Sequence, residues 1–332
     1  MLGNFPHATT SDAGHDWALV LAAGEGSRLQ RLTTTASGVA VPKQFCSLSG
    51  GTSLLHDTLR RAQVIAPAER TCVVVCADHR CWWQSLSRSI PSSNIVVQPC
   101  NRGTAIGILL PLLAILQRDP DATLGVLPSD HFVRNESLLA DAMRQAMRRA
   151  HSTAALILLG LTPEEPDPEL GYVVPGPHAD PGMREVEEFV EKPDAALAAD
   201  IVRRGGLWNS FIFAVRGRSL LDMFEQRVPE VVMEMTAVMQ RANRDSAHRY
   251  AQLAALYERL PTVDFSRDIV QRQPRDLRVV SVSACGWSDL GTPGRVADVL
   301  RKERLAAPTA SLARHSTGFL DLATQHLRLH VA

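Results

Sequence analysis

Residues 18–45 read ALVLAAGEGSRLQRLTTTASGVAVPKQF, and this stretch decides the fold. An apolar, strand-like run at 18–22 empties into a loop carrying Gly24 and Gly26; Arg28 follows at once, and Pro42-Lys43-Gln44-Phe45 a little later. A strand that ends in a Gly-rich turn lets backbone N–H groups approach an anionic group closely, because no Cβ stands in the way. A guanidinium and an ammonium then add fixed positive charge, which together is equipment for holding a nucleoside triphosphate. The segment is not a Walker A loop, since no Gly-Lys-Ser/Thr follows the glycines. Nor is it a dinucleotide fingerprint: Gly24 and Gly26 supply G-x-G, but Leu29 stands where a third Gly or Ala is required. Taken alone, the stretch also fits an ordinary strand-to-helix turn with a solvated Arg and Lys.

Outward from this loop, apolar runs at 71–76, 95–98, 124–128 and 155–159 read as strands, rich in Val, Ile and Leu. Between them, 53–65, 81–89, 104–117 and 136–150 have the length and spacing of helices. Such βαβ alternation implies an α/β fold, a mainly parallel sheet with helices on both faces. A sheet of this kind binds ligands at the carboxyl ends of its strands. Residues 22–26 and 129–131 each follow an expected strand directly, so both should line one crevice. The second half is less regular: strands are expected at 171–174, 186–190, 210–215 and 277–282, and helices elsewhere, including 219–223 and a long stretch over 229–260. The organisation expected is a tail over 1–16, one domain over 17–300 and an extension over 301–332, which reads as a helix plus a short strand or as a partner-binding segment.

Composition bounds the function. With 45% hydrophobic and 21% charged residues in 332, the chain has the balance of a soluble globular protein. A formal net charge of zero argues against a general nucleic-acid or membrane-surface role, which favours a basic excess, and leaves room for a local positive pocket. The first 17 residues lack the basic segment and apolar core of a secretory signal. The longest apolar run, 106–116, is too short to cross a bilayer and contains Pro111. Six cysteines form no C-x-x-C pair, and reduced, mostly buried thiols are expected, in keeping with a cytoplasmic location.

Further motifs follow the first in order. Gln98-Pro99-Cys100-Asn101-Arg102-Gly103-Thr104-Ala105 leaves a strand and opens a helix, whose N-terminus can donate backbone hydrogen bonds to an acceptor-rich ligand. Val126-Leu127-Pro128-Ser129-Asp130-His131 is a buried strand ending in a carboxylate, which is a suitable first ligand for Mg²⁺ and equally a turn or N-cap residue. Leu170-Gly171-Tyr172-Val173, Phe189-Val190-Glu191-Lys192-Pro193-Asp194, Trp208-Asn209-Ser210-Phe211-Ile212-Phe213 and Cys285-Gly286-Trp287-Ser288-Asp289-Leu290-Gly291-Thr292 complete the series.

From residue 18 to about 291 this order resembles the sugar-phosphate nucleotidyltransferases, and the Pro-Lys-Gln-Phe ending and Ser129-Asp130-His131 resemble their mannose-1-phosphate guanylyltransferase branch. The resemblance implies a Rossmann-like three-layer sandwich with a mixed, mainly parallel central sheet. It implies that Ala22, Ala23, Gly24 and Gly26, with Gln98, Asn101, Gly103 and Thr104, bind the nucleotide, and that Arg28 and Lys43 are catalytic. Asp130 and Asp289 would share one Mg²⁺, with His131 structural, and Gly171, Tyr172, Glu191, Lys192 and Asn209 would hold the sugar phosphate. Four departures stand out. The gap from Arg28 to Lys43 is longer than usual, its extra residues falling in a Thr/Ser/Gly/Ala stretch over 33–40 that reads as a flexible loop. Ile106 replaces a usual Pro, only one Gly-Tyr stands at 171–172, and Phe211 takes a place where Gly is common.

The implied reaction joins GTP and mannose 1-phosphate into GDP-mannose and pyrophosphate. The partners are therefore small molecules, without nucleic acid or membrane, and a homodimer is left open. Three alternatives remain at this stage: UTP or dTTP with glucose 1-phosphate, a non-catalytic subunit that senses sugar nucleotides, and an NAD-dependent enzyme, which the missing third glycine disfavours. Longer members of the family carry a cupin-like isomerase domain beyond this one, which a chain of 332 residues is too short to hold.

Overall fold

In a computed structural model, residues 12–48, 50–241 and 246–306 are described. Nine strands form one sheet: β1 (Asp16–Ala22), β2 (Thr71–Cys76), β3 (Ile95–Gln98), β4 (Thr123–Pro128), β5 (Leu156–Leu161), β6 (Tyr172–Asp180), β7 (Met183–Val190), β8 (Leu207–Arg216) and β9 (Leu277–Val282). Their spatial order is β3-β2-β1-β4-β8-β5-β9-β7-β6. β1 pairs in parallel with both β2 and β4, and β5 with β9, while β8 runs antiparallel between β4 and β5 and β7 runs antiparallel to β9 and β6. The sheet is thus mixed and mainly parallel, with β7 and β8 reversed.

β2, β4 and β5 are buried at every residue, which explains why they read as unbroken apolar runs: both faces are covered. On one face the helices Leu54–Ala62 and Glu136–Ala150 bury Leu55, Ala62, Leu139, Met143 and Ala146 against β1, β4 and β5. On the other, Gly103–Leu116 packs with Gly217–Arg227, Pro229–Arg241 and Ser246–Arg259 around Phe213, Phe224 and Phe265. The result is three layers.

Three expectations need amending. The segment 81–89 is not one helix: Arg80–Trp83 gives way to a tighter 3-10 turn, Gln84–Arg88, where Trp83 donates its indole N–H to the Cys76 carbonyl. The stretch over 229–260 holds two helices. The loop over 33–40 is a hydrogen-bonded turn, with Val41 N bonded to Thr33 O and Thr35 N to Val39 O at 2.9 Å each; the Thr35 hydroxyl accepts Val39 N at 3.0 Å, so the threonine supplies the order that the sequence hides. Of the extension over 301–332, the helix Pro293–Ala306 covers the start and residues 307–332 lie outside the described residues, as do residues 1–11 of the tail. The cysteines are all free; Cys46, Cys72, Cys76 and Cys285 are buried. No helix among the described residues is long and apolar enough to cross a membrane.

Gly103 shows why the second motif carries a glycine. Its φ is +87°, and a Cβ there would stand 2.2 Å from the Val263 carbonyl oxygen, where the helix Gly103–Leu116 is stitched to residues 263–265. Gly103→Ala is expected to destabilise the protein by at least about 1 kcal/mol, from backbone strain alone. Urea unfolding monitored by fluorescence checks this, and an unchanged midpoint would contradict the close approach.

Candidate functional site

The carboxyl ends of β1 and β4 open into a cleft of about 330 Å³. Here β1 passes into the loop at 23–26 and β4 into Ser129-Asp130-His131, and Ser129 Oγ ties the two ends by donating to Leu21 O at 2.6 Å. Both segments line the cleft, as their positions after strands require. Gln44 holds the glycine loop from below: its Nε2 donates to Ala22 O and Gly24 O, each at 2.9 Å. Ala23 and Gly24 are on the cleft wall, whereas Ala22 is buried at the strand end and Gly26 packs against Lys43.

Lys43 is the centre of the charge arrangement. It is 5% exposed, and its Nζ lies 2.7 Å from Asp130 Oδ2 and 2.6 Å from the backbone carbonyl of Asp289. One ammonium therefore gathers two segments that are far apart in sequence. Burial, the largest single influence, raises the Asp130 carboxyl, but the Lys43 charge, the neighbouring His131 and the hydrogen bonds to the carboxylate together outweigh it and hold the group below the usual carboxylate range. Asp130 and Asp289 both line the cleft. Asp289 Oδ1 accepts from Arg295 Nη1 at 2.6 Å and from Gly291 N at 2.9 Å.

The donor set fits a hard divalent cation. Two carboxylates, one at the end of β4 and one in the loop after β9, face one cleft, and no group of three or more His, Cys, Asp or Glu side chains suited to a metal occurs among the described residues. Mg²⁺ characteristically takes one or two carboxylates and fills its remaining positions with phosphate oxygens and water, so two suffice.

Arg28 is half exposed at the rim, 3.5 Å from Glu169 Oε2, and both residues line the cleft. Gln98, Asn101, Gly103 and Thr104 line the same cleft. Gln98 is 1% exposed, yet its Oε1 has no hydrogen-bond partner among the described residues. Asn101 Oδ1 accepts Gly103 N at 2.9 Å, and Thr104 Oγ1 accepts Phe265 N at 2.8 Å.

The far end is built by β6, β7 and β8. Tyr172 pairs with Val190 and with Trp208, so Gly171, Glu191 and Asn209 are brought side by side. A Cβ on Gly171 would lie 2.6 Å from Glu191 Oε2 and 3.5 Å from Asn209 Nδ2; the glycine keeps the space between them open. Asn209 Oδ1 accepts Phe211 N at 3.1 Å, which leaves its amide N–H groups for the cleft. Burial, and then the Asp264 charge, push the Glu191 carboxyl up despite Lys192 and Arg267. Lys192, on the wall, has φ +49° and Phe211, also on the wall, φ +58°. Tyr172 does not face the cleft. It is fully buried, and its hydroxyl donates to Asp167 O and accepts from Asp167 N and from Trp208 Nε1.

Residues that the sequence did not point to complete the site. Glu169 sits two positions before Gly171 and has a local signal; Asp264 and Ser266 come from the cap and first turn of the π-helix Phe265–Val270; Arg295 and Asp167, which stand behind the cleft wall at Asp289, pair across 128 residues with no local signal. His131 is buried beside Asp130. Its Nδ1 accepts the Trp287 indole N–H at 3.3 Å, and because an indole only donates, that nitrogen must be unprotonated. Burial, partly opposed by Asp130, lowers its pKa to about 4. A group whose pKa falls on folding stabilises the protein above its unfolded value of 6.5, and that contribution is lost as pH falls toward about 4. The parent is expected to lose on the order of 3 kcal/mol more than His131→Gln between neutral pH and about pH 4. Urea titrations of both proteins across that range measure the difference, and equal losses would show that His131 is not buried in its neutral form.

Residues 17–304 match the family model described as nucleotidyl transferase. A putative mannose-1-phosphate guanylyltransferase of Vibrio cholerae serotype O1 is 31% identical over 289 residues, covering 86% of this chain and 60% of the relative. A mannose-1-phosphate guanylyltransferase of Salmonella typhimurium is 32% identical over 287 residues, covering 83% of this chain and 58% of the relative. The chain thus spans about three-fifths of the length of these curated relatives. Among solved structures, one described as a mannose-1-phosphate geranyltransferase from Thermus thermophilus superposes with a TM-score of 0.70 at 28% identity, covering 83% of this chain and 76% of that one. With its three-layer fold and a family match running from β1 into the last described helix, the chain belongs to the nucleotidyl transferase family.

Proposed function

We propose that this protein transfers a guanylyl group from GTP to mannose 1-phosphate, giving GDP-mannose and pyrophosphate. The observation that carries the reading is that one cleft joins Arg28 and Asp130, whose charge is met by the buried Lys43, to the polar group of Gly171, Glu191 and Asn209. A phosphate-handling end and a hydroxyl-handling end share one wall. The names of the relatives, and the Pro42-Lys43-Gln44-Phe45 ending, favour mannose and guanine over the other pairs.

The chemistry needs no general base, because a sugar phosphate oxygen is already a competent nucleophile at neutral pH. It attacks the α-phosphorus in line, the bond from that phosphorus to the bridging oxygen breaks, and pyrophosphate leaves with the electron pair. The protein brings two polyanions together and offsets their repulsion. Arg28 at the rim is suited to the departing phosphates and Lys192 to the sugar phosphate, while Lys43, buried and bonded to Asp130 and the Asp289 carbonyl, is suited to fixing Asp130 rather than to reaching a phosphate itself. A Mg²⁺ held by Asp130 and Asp289 would neutralise phosphate charge during the transfer. A unit charge pair at 4 Å is worth about 4 kcal/mol at an effective dielectric of 20, so a few such contacts are enough. At the other end, Asn209 can donate and a Glu191 carboxyl oxygen can accept, a combination suited to sugar hydroxyls.

Pyrophosphate release measured over a matrix of nucleoside triphosphates and sugar 1-phosphates tests the assignment. Activity is expected with GTP and mannose 1-phosphate and to disappear in excess EDTA; a clear preference for UTP or dTTP with glucose 1-phosphate would replace it with the alternative pair. Asp130→Asn is expected to cost at least about 2.7 kcal/mol in kcat/KM, roughly a hundredfold. Glu191→Ala should raise the KM for the sugar phosphate and blur the choice between epimers while leaving GTP affinity nearly unchanged, because unpaired polar groups are what reject the wrong hydroxyl pattern. Calorimetric titration with GTP alone separates the two ends of the cleft. Loss of GTP binding with an unchanged sugar KM would overturn the placement of Glu191.

A further inference from the structure

Behind Asp289 lies a side-chain arrangement that the proposed reaction does not use. Arg295 is inserted between two carboxylates: its Nη1 donates to Asp289 Oδ1 at 2.6 Å, while Nε and Nη2 both donate to Asp167 Oδ2, at 2.9 and 2.6 Å. The three side chains are only 15%, 15% and 21% exposed for Arg295, Asp289 and Asp167. Arg295 belongs to the first turn of the helix Pro293–Ala306, where its N–H is capped by Thr292 Oγ1 at 3.3 Å. A cation in a first turn opposes the helix dipole, so the local structure does not favour it. What holds it is the pair of carboxylates.

The consequence for Asp289 is geometric and electrostatic. One of its oxygens is fixed by Arg295 and by Gly291 N, and the other has no protein partner among the described residues. Asp130 is matched in the same way by Lys43. Each cleft aspartate therefore has a cation bonded to it, although Arg295 is shared with Asp167, so the five side chains together carry one negative charge. A carboxylate already compensated at 2.6 Å attracts a further cation less strongly.

We propose that Arg295 is a positioning residue for Asp289: it fixes one carboxylate oxygen and, by compensating the charge, keeps divalent-cation binding weak until a nucleotide adds phosphate oxygens. The inference rests on the reading of Asp130 and Asp289 as the cation-holding pair. It separates charge compensation from a merely structural ion pair, because the two predict opposite signs. Loss of a structural support loosens Asp289 and weakens cation binding; loss of a compensating charge strengthens it.

Mn²⁺ serves as the probe, with free Mn²⁺ followed by electron paramagnetic resonance on the full chain, without and with GTP. Arg295→Gln is expected to raise Mn²⁺ affinity of the nucleotide-free protein about tenfold, and Arg295→Lys, which retains the charge, to stay within about twofold of the parent. An unchanged or lowered affinity in Arg295→Gln, or an equal rise in Arg295→Lys, would overturn the proposal. Thermal unfolding of each variant is recorded alongside. If Arg295→Gln does not fold, the double variant with Asp167→Asn removes the partner charge as well, and a smaller rise, still above the parent, is expected from it, because Asp289 loses the cation bonded to it while the carboxylate removed is not bonded to it. The underlying reading has its own arm: Asp289→Asn in the parent should weaken Mn²⁺ binding in the presence of GTP. If it leaves that binding untouched, Asp289 is no cation ligand whatever Arg295 does.

Discussion

Everything at the cleft depends on the buried ammonium of Lys43. An isolated charge taken out of water costs several kcal/mol or neutralises, so a lysine this buried must be met by fixed acceptors. Asp130 and the Asp289 carbonyl are those acceptors, and they come from the end of β4 and from the loop after β9. Lys43 therefore has a structural and an electrostatic role at once. Its neighbour Gln44, in the same short 3-10 turn Lys43–Phe45, ties down the glycine loop through two carbonyls. The hydrogen-bonded turn over 33–41 matters for the same reason: it closes the loop back on Thr33 two residues before Lys43.

The reversed strand β8 is the second constraint. In a purely parallel sheet the amino end of a strand lies at the face opposite the cleft. Because β8 runs against β4 and β5, its beginning, Trp208-Asn209, stands level with the end of β5, where Leu161 pairs with Trp208. β6 begins and β7 ends beside it, so three segments deliver Gly171, Glu191 and Asn209 to one place. Three non-glycine residues of the described chain have positive φ, and each is in or next to this cleft: Lys192, Phe211 and Leu290. A side chain in that conformation costs on the order of 1 kcal/mol and persists only where surrounding contacts fix it. For Phe211 those contacts are the Asn209 amide oxygen and the rings of Phe213 and Phe265, at 6.3 and 5.8 Å between centroids.

Much of the fold was legible because its strands are short, apolar and buried on both faces. β2, β3 and β9 match their expected limits to the residue, and the helix Glu136–Ala150 does too. In each the pattern has one reading, and a polar residue or a proline stands within two positions of each end. The pattern failed where order comes from polar side chains, as at Thr35, or where a tryptophan anchors to a carbonyl, as at Trp83. Tyr172 shows a subtler limit. Its place beside Gly171 suggested the ligand, but alternation along β6 turns it into the core, where its hydroxyl fixes Asp167.

The sequence by itself determined the alternation of strands and helices, the glycine-rich loop after β1, and the presence of two aspartates, two lysines and an arginine of the right chemistry. Those are local properties: periodicity, backbone freedom and side-chain type are all carried by neighbouring residues. Only the tertiary structure decided that Lys43 bridges Asp130 and Asp289, that the reversed β8 brings Asn209 to Glu191, and that Arg295 stands between Asp167 and Asp289. Each of these joins residues from separate segments of the chain. Their meeting is fixed by sheet order and by the requirement that buried charges be paired, and neither is written in local sequence.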